Sequence, residues 1–517
     1  LGAAATIPVI AEPLTQGVEP DALSGRLSRR PNNVSVWLRL VMLTDDADAI
    51  PAMQRLLAST DVFDVVSLTL LDRSGQSTAG TPELWRSLRD VCQRHSVKTL
   101  LADVSMSEVT AALGDVLAAG ASGFVLRSRR SEQASVEGGL LRTLRQRYPR
   151  ALLVAACGAT SPREILGQFD EGAQLVAVDV GLIEAGPLLA KRGNEALAGR
   201  RSRLETITAP KRAAGTGWPW AMLLGAGMLI AGLAVFVAGL TRVVLPYDEA
   251  FLGISQGALS DINPRLLAFM RHDRITLAAT MLSIGILYLS LALNGLRNGW
   301  LWARGALLGS GVVGFASLFL FLGFHYVDPL HVTLSAGLFP LLLLGVLLPT
   351  RKQVHESRDL DNDASWRLGI TGQLFFIGLA IGLILAGVTI TVVGATRVFV
   401  FSDLAFLRTT ASVLSSANNH LLPLIAHDRA GFGGALASDG VAVLLISLWG
   451  FRRGERWVWW TLFLAGLAGL AGGVYAHVSV GYLEFGHLLP LFVSAVVFVT
   501  GLAFSSAFLL RRRPLGV

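Results

Sequence analysis

The sequence predicts an α/β domain over residues 1–212 followed by an all-α membrane domain of eight transmembrane helices in two tandem four-helix repeats. Three observations carry this. The chain is 52% hydrophobic and only 16% charged over 517 residues, against about 25% charged in an ordinary soluble chain. Residues 34–190 alternate short apolar strands with amphipathic helices. Beyond residue 213 the chain matches itself, without a gap, at a shift of 155 residues.

Composition removes several classes of function. The net charge of +7 and pI near 9.8 do not come from a basic stripe interleaved with aromatics, so nucleic acid is not an expected partner. The basic residues instead stand at the ends of apolar runs, as positive-inside topology requires. Cys92 and Cys157 are far apart and lack CxxC spacing, so no metal motif or disulfide framework is expected. The chain starts at Leu1 with no Met and no signal-peptide pattern, which reads as a processed or truncated beginning.

A bilayer core about 30 Å thick needs about 20 apolar residues in a helix. Eight runs qualify: 218–241, 275–296, 302–324, 331–349, 368–394, 430–450, 457–479 and 487–510. The first four form repeat 1 (213–350), residues 351–367 a linker, and the last four repeat 2 (368–517). Lys and Arg cluster at 191–212, at Arg297 and Arg304, at Arg351, Lys352 and Arg358, at Arg452, Arg453 and Arg456, and at 511–513. All fall on one side of an eight-helix count. The expectation is a multi-pass cell-membrane protein with both termini cytoplasmic.

The self-match pairs Thr241-Arg242-Val243 with Thr396-Arg397-Val398, Asp248 with Asp403, Asn263 with Asn418, and His272-Asp273-Arg274 with His427-Asp428-Arg429. One extra residue later, Asp328 and His331 face Glu484 and His487. Ungapped matches among Arg, Asp, His and Trp predict a duplication. An even number of helices per copy gives both copies the same orientation, about an axis along the membrane normal. The ionisable residues are candidates for an outer-face site for an ion, a headgroup or a proton path. The plainer reading, preferred because the apolar runs carry almost no mid-depth charge, is structural. Arg242 and Arg274 would pair with Asp248 and Asp273 and pin the outer loop. Asp273 would also favour a helix start. His272, His331, His427 and His487 suit haem only if paired across helices, and each falls at a helix end.

In the first domain, strands are predicted over Val34–Val41, Val62–Leu70, Val97–Ala102, Gly123–Leu126, Ala151–Ala155 and Leu175–Val180. Helices are predicted at 47–59, 82–94, 105–119, 136–148 and 161–171, with Gly120 and Gly172 where helices give way to strands. The βα spacing implies a parallel sheet or barrel, and periodicity leaves a partial (β/α)₈ barrel and a doubly wound sheet both open.

The stretch Ala151–Leu197 carries Cys157-Gly158, Ser161 with Glu164, Gly172-Ala173, and Gly181-Leu182-Ile183-Glu184-Ala185-Gly186-Pro187. It resembles the last two βα units of the membrane-linked, quinone-using dihydroorotate dehydrogenases. Leu100-Leu101-Ala102-Asp103 with Ser105 looks like that family's Lys-x-x-Pro-Asp strand end, and Asp64–Leu71 like the strand before its catalytic loop. The resemblance spans residues 30–197 and is densest in its last third. It implies a partial or complete TIM-like barrel that binds FMN, with the phosphate on backbone donors of Gly158, Ala159, Val180 and Gly181. It also implies quinone as electron acceptor.

The family's chemistry is not matched. The lysine strand reads Thr99-Leu100-Leu101-Ala102 with Lys98 too early, the Asn-Thr strand end reads Leu126-Arg127-Ser128-Arg129, and the catalytic loop is Ser67 to Gly75. Ser74, Ser77 or Thr78 would be the base, without the expected neighbours. A flavin-dependent dehydrogenase therefore remains only the alternative. The sequence favours a degenerate, non-catalytic barrel whose membrane half faces the lipid bilayer and serves as an anchor, a quinone-facing domain, or an assembly subunit for other membrane proteins. A small-solute or ion transporter is the third reading.

Overall fold

The computed structural model describes residues 9–13, 37–58, 63–74, 76–105, 113–127, 134–156, 158–178, 183–186, 188–206, 216–319, 323–348 and 360–511. Contacts divide the chain into two units, Leu1–Leu204 with Asp359–Asn362, and Glu205–Arg358 with Asp363–Val517.

Seven parallel strands form the sheet of the first unit: β1 (Val9–Pro13), β2 (Trp37–Leu43), β3 (Val65–Leu71), β4 (Thr99–Ser105), β5 (Gly123–Arg127), β6 (Leu152–Ala156) and β7 (Leu175–Val176). Their order in space is their order in the chain, with no switch point. Strand β1 was not anticipated; it pairs with β2 from Val9 opposite Trp37. Between the strands lie α1 (Ala49–Ala58), α2 (Pro82–Arg94), α3 (Leu113–Ala118), α4 (Ala134–Arg147) and α5 (Pro162–Asp170), and α6 (Leu188–Thr206) follows. Of the helix expected over 105–119, Leu113–Ala118 is described as helix and Ser105 closes β4. Gly172, at φ +112°, turns the chain after α5 where a side chain would be strained.

The two-residue period of each strand divides the sheet into two faces. Leu38, Val66, Leu68, Leu100, Phe124 and Leu153 join Met53, Trp85, Leu88, Leu113 and Leu141 in one core, so α1 to α4 all cover a single face. A doubly wound sheet carries helices on both. Trp37, Leu101, Val125, Val154 and Ala156 form the opposite face. Among the described residues no pairing joins β7 to β1, so a closed barrel is not observed.

Among the described residues the second unit has eight helices long and apolar enough to cross a membrane, matching the expected number. In order they are α7 (Trp218–Thr241), the short α8 (Pro246–Leu252) and α9 (Gln256–Ile262), α10 (Leu266–Ser290), α11 (Leu301–Leu318) and α12 (Pro329–Leu347). Helix α10 continues as a π-helical turn to Leu296. The same succession of two short and four long helices then recurs as α13 (Ala364–Thr396), α14 (Phe401–Leu407), α15 (Ala411–Ala417), α16 (Leu421–Gly450), α17 (Arg456–Val480) and α18 (Phe485–Leu509).

Helices α10 and α16 are the centre of the unit: 72% and 61% of their apolar windows are buried, against 17–33% for the other six. The outer helices point Ile230, Leu233, Leu385, Val392 and Val496 outward, as lipid-facing helices do. Small residues let backbones approach closely. A Cβ on Gly387 of α13 would stand 2.4 Å from the Ala437 nitrogen of α16, and one on Gly433 would stand 2.5 Å from the Thr391 nitrogen.

Two expectations about the long helices change. Spans predicted to start at 275 and 430 start at Leu266 and Leu421, so His272–Arg274 and His427–Arg429 lie inside α10 and α16, past the first turn. Hydropathy stops at charged residues; the fold does not, because these charges are neutralised in pairs. Moreover, α16 carries the buried Asp439 eighteen residues past its start, so the apolar runs are not free of mid-depth charge.

Candidate functional site

The first short helix of each set is pinned by a buried carboxylate. Asp248 accepts from the Leu245 amide at 2.8 Å and from Arg274 Nη2 at 2.8 Å, and the Tyr326 hydroxyl donates to it. Asp403 accepts from the Val400 amide at 2.8 Å, from Arg429, and from Tyr482 at 3.1 Å. Burial and the neighbouring Asp248 carboxylate push the Tyr326 phenol well above its ordinary range, so it stays a donor. The expected Arg274–Asp248 pair is thus present. Arg242, however, pairs with Glu249 at 2.6 Å rather than with Asp248, and Asp273 is not the partner of Arg274. Arg397 ends α13, with no ion pair among the described residues.

The remaining contacts cross from one four-helix set to the other and are returned. Arg274 reaches Asp428 at 3.2 Å and Arg429 reaches Asp273 at 3.3 Å. Asn263 donates to the Leu407 carbonyl and Asn418 to the Leu252 carbonyl, each at 2.8 Å. Arg265 donates to the Phe406 carbonyl at 2.7 Å, while His420 meets that of Phe251 at 2.6 Å. Such reciprocity is the mark of an isologous interface.

The histidines also pair across the sets. His427 Nε2 lies 3.0 Å from His331 Nδ1, and its own Nδ1 lies 3.1 Å from Asp428. Asp328 joins this cluster and caps α12 by accepting from the Leu330 and His331 amides. His272 Nδ1 lies 2.9 Å from Asp273, and its Nε2 lies 3.2 Å from Nε2 of His477. His487 stacks on Tyr482 with centroids 4.0 Å apart and completes that cluster. Separations of 3.0 and 3.2 Å leave no room for a porphyrin, whose axial nitrogens stand roughly 4 Å apart, twice a metal–imidazole bond of about 2 Å.

Two cavities adjoin the clusters and differ in character. Beside His331 and His427 is a cavity of about 130 Å³ walled mainly by apolar side chains such as Met228, Leu277 and Phe315. Beside His272, His477, His487 and Glu484 is one of about 790 Å³ that runs to Asp439. Its α10 wall presents Thr276, Thr280 and Ser283 in succession. At its far end Ser283 Oγ donates to Asp439 at 2.8 Å. Among the described residues no Lys, Arg or His pairs with that carboxylate. The residues matching Thr276, Thr280 and Asp439 at the 155-residue shift are Gly431, Ala435 and Ile284, so this set of hydroxyls and carboxylate is not duplicated. Sequence reasoning missed Asp439 and His477. A carboxylate inside an apolar run was a legible signal; His477 has no counterpart in the other set and carried none.

In the first unit, Gly158 has φ +64° and Ala159 is buried, both in the loop after β6. Val180 and Gly181 lie outside the described residues, as do Cys157 and Ser128. The donors at the start of α5 are already engaged. Ser161 caps Glu164, the Glu164 carboxylate accepts from the Thr160 amide at 2.8 Å, and the Arg163 amide donates to the Leu360 carbonyl at 3.0 Å. Arg163 also holds Asp361 through two bonds of 2.5 and 2.9 Å, so this helix start already carries a carboxylate. On the sheet face opposite the helices, Asp103 is clamped by Nε of Arg39 and of Arg127, each at 2.9 Å, and by Thr69 at 2.9 Å. On the helix-covered side of this strand is a cavity of about 10 Å³ among Leu68, Leu70, Trp85 and Val104, room for one water at most. Burial pushes the Cys92 thiol up to about 12, which removes it as a nucleophile.

Together these features define a multi-pass membrane protein with a parallel α/β unit and a polar centre inside its helical unit. No protein-family model matches the chain, and no curated protein matches it.

Proposed function

We propose that the eight-helix unit is a transporter that couples movement of a small solute to protonation of Asp439. The observation that carries this reading is the 790 Å³ cavity leading from the His272 cluster to an Asp439 whose one side-chain partner among the described residues is Ser283. A carboxylate at that depth is costly unless it carries a proton or meets a cation. From His272 to Ser283 is eleven residues of helix, about 16 Å, so the hydroxyls of Thr276 and Thr280 span the path. The volume is that of a ligand pocket rather than a proton wire.

The recurring helix order, the 155-residue self-match and the returned contacts support a duplication with parallel copies about an axis along the membrane normal. Arg297, Arg304, Arg453, Arg456 and Arg511 stand at the helix ends away from the histidines. The positive-inside rule then puts those ends in the cytoplasm and the histidines on the opposite face of the cell membrane.

In proteoliposomes on a solid-supported membrane, a pH step should displace charge as protons reach Asp439, and Asp439→Asn should abolish the transient. A wild-type response equal to that of protein-free liposomes would overturn the reading.

For the α/β unit a scaffold role is favoured over the dehydrogenase reaction. Its specific support is the occupied α5 terminus and the Arg–Asp–Arg clamp inside the sheet. Purified protein should carry no flavin absorbance and acquire none on incubation with FMN; stoichiometric FMN would reverse this assignment.

A further inference from the structure

We propose that His272, His477 and His487 bind one divalent transition-metal ion, a site set by histidine geometry alone and independent of the transport reading. The tautomers are fixed by their partners. The Gly473 carbonyl can only accept, so His477 Nδ1, 2.7 Å away, carries the proton. Asp273 forms an ion pair with Arg429 at 3.3 Å, and its carboxylate lies 2.9 Å from His272 Nδ1, which donates to it. Both Nε2 atoms therefore present bare lone pairs, and they face each other at 3.2 Å. Neutral imidazoles do not adopt that arrangement by choice. A cation between the lone pairs turns it into a ligand set.

The spacing suits a metal. Two nitrogens on a tetrahedral zinc with bonds of 2.0–2.1 Å are roughly 3.3–3.4 Å apart. The His487 ring lies 5.7 and 5.1 Å, centroid to centroid, from those of His272 and His477, and the three ligand nitrogens lie within 4.8 Å of one another. The supporting shell is of the kind metal-bound histidines use: a carboxylate on one outer nitrogen, a backbone carbonyl on another. Tyr482 stacks on the third ring and is itself anchored to Asp403. Three imidazoles select zinc, copper, nickel or iron over magnesium or calcium. The fourth position opens on the cavity, which Glu484 also lines.

The sister cluster lacks this logic. There His331 Nδ1 can donate to the His427 lone pair in an ordinary hydrogen bond, and Asp328 is committed to capping α12. One metal per chain is expected, not two.

The test uses the purified full chain, stripped with chelator, loaded with Zn²⁺ against a chromophoric competitor, desalted and measured by elemental analysis. Wild type and His331→Asn should each retain one equivalent; His477→Asn and His487→Asn should each retain at least tenfold less at the same free Zn²⁺. Co²⁺ should give a visible ligand-field band in wild type that His477→Asn loses. Should His477→Asn fail to fold, the half-buried His487 decides through its own variant. Wild type retaining no metal, or full retention by both cluster variants, would overturn the site.

Discussion

The guanidinium of Arg274 lies 3.2 Å from the carboxylate of Asp428, 154 residues away, while its other nitrogens serve Asp248 and the Val243 carbonyl. One cation thus ties its own short helix to the opposite set of helices, and Arg429 returns the arrangement toward Asp273 and Asp403. Asp248, Asp273, Asp403 and both guanidiniums are buried and Asp428 is 12% exposed, so each depends on its partners being present.

Removing one arginine leaves carboxylates without compensation. Arg274→Ala and Arg429→Ala should each cost roughly 3–5 kcal/mol. Thermal unfolding in detergent would show this as a large loss for both. Arg242→Ala, which breaks only the half-exposed pair with Glu249, should cost no more than about 1 kcal/mol. Equal losses in all three would mean the buried network is not what joins the sets.

The contact between α13 and α16 is set by backbone approach. Gly387→Leu should separate the helices and remove the monodisperse folded species, because the added side chain meets the Ala437 nitrogen. Gly382→Ala, at a position with open space, should be neutral or slightly stabilising, since alanine is the better helix former by about 1 kcal/mol. Size-exclusion profiles and unfolding temperatures would separate the two.

Tyr326→Phe deprives Asp248 of a donor in a buried setting and should cost about 1–3 kcal/mol near neutral pH. The sign of its pH dependence follows from the raised phenol. Because the folded pKa exceeds the unfolded value of about 10, the contribution is complete below that value and shrinks as pH climbs above it. The stability gap between wild type and variant should therefore narrow between about pH 9 and 11; a constant gap would contradict the hydrogen bond.

Within the α/β unit, Asp103→Ala leaves Arg39 and Arg127 facing each other without their shared carboxylate. Hydrogen exchange on the full chain should accelerate across β2 to β5 while the eight-helix unit stays protected. Exposed Arg86→Ala, which breaks a surface pair with Glu83, should leave exchange unchanged. Unaltered protection of β2 and β5 in Asp103→Ala would show that the clamp is dispensable.

Much of the fold was legible. The strands from Trp37 to Val176 alternate or run apolar over their own few residues, and the turn signals at Gly120 and Gly172 sit beside them. Strand β1 escaped because five residues, Val9–Pro13, carry little pattern without the neighbour that pairs them. The start of α10 was placed late because a His-Asp-Arg triplet breaks a hydropathy window, whereas the folded helix carries it through once Arg429 and Asp428 stand opposite. The residues of the His272 cluster were partly found, but His477 enters from a helix 205 residues downstream and has no repeated counterpart to mark it.

By itself the sequence determined the division into an α/β part and a membrane part, the number of spans, and the recurrence at 155 residues, because hydrophobicity and period are properties of neighbouring residues. Only the tertiary structure decided that Arg274 answers Asp428 rather than Asp273, that all crossing helices from α1 to α4 share one face of the sheet, and that two imidazole lone pairs meet at 3.2 Å. Those relationships depend on which helices pack side by side, and packing is a choice made among surfaces far apart in the chain.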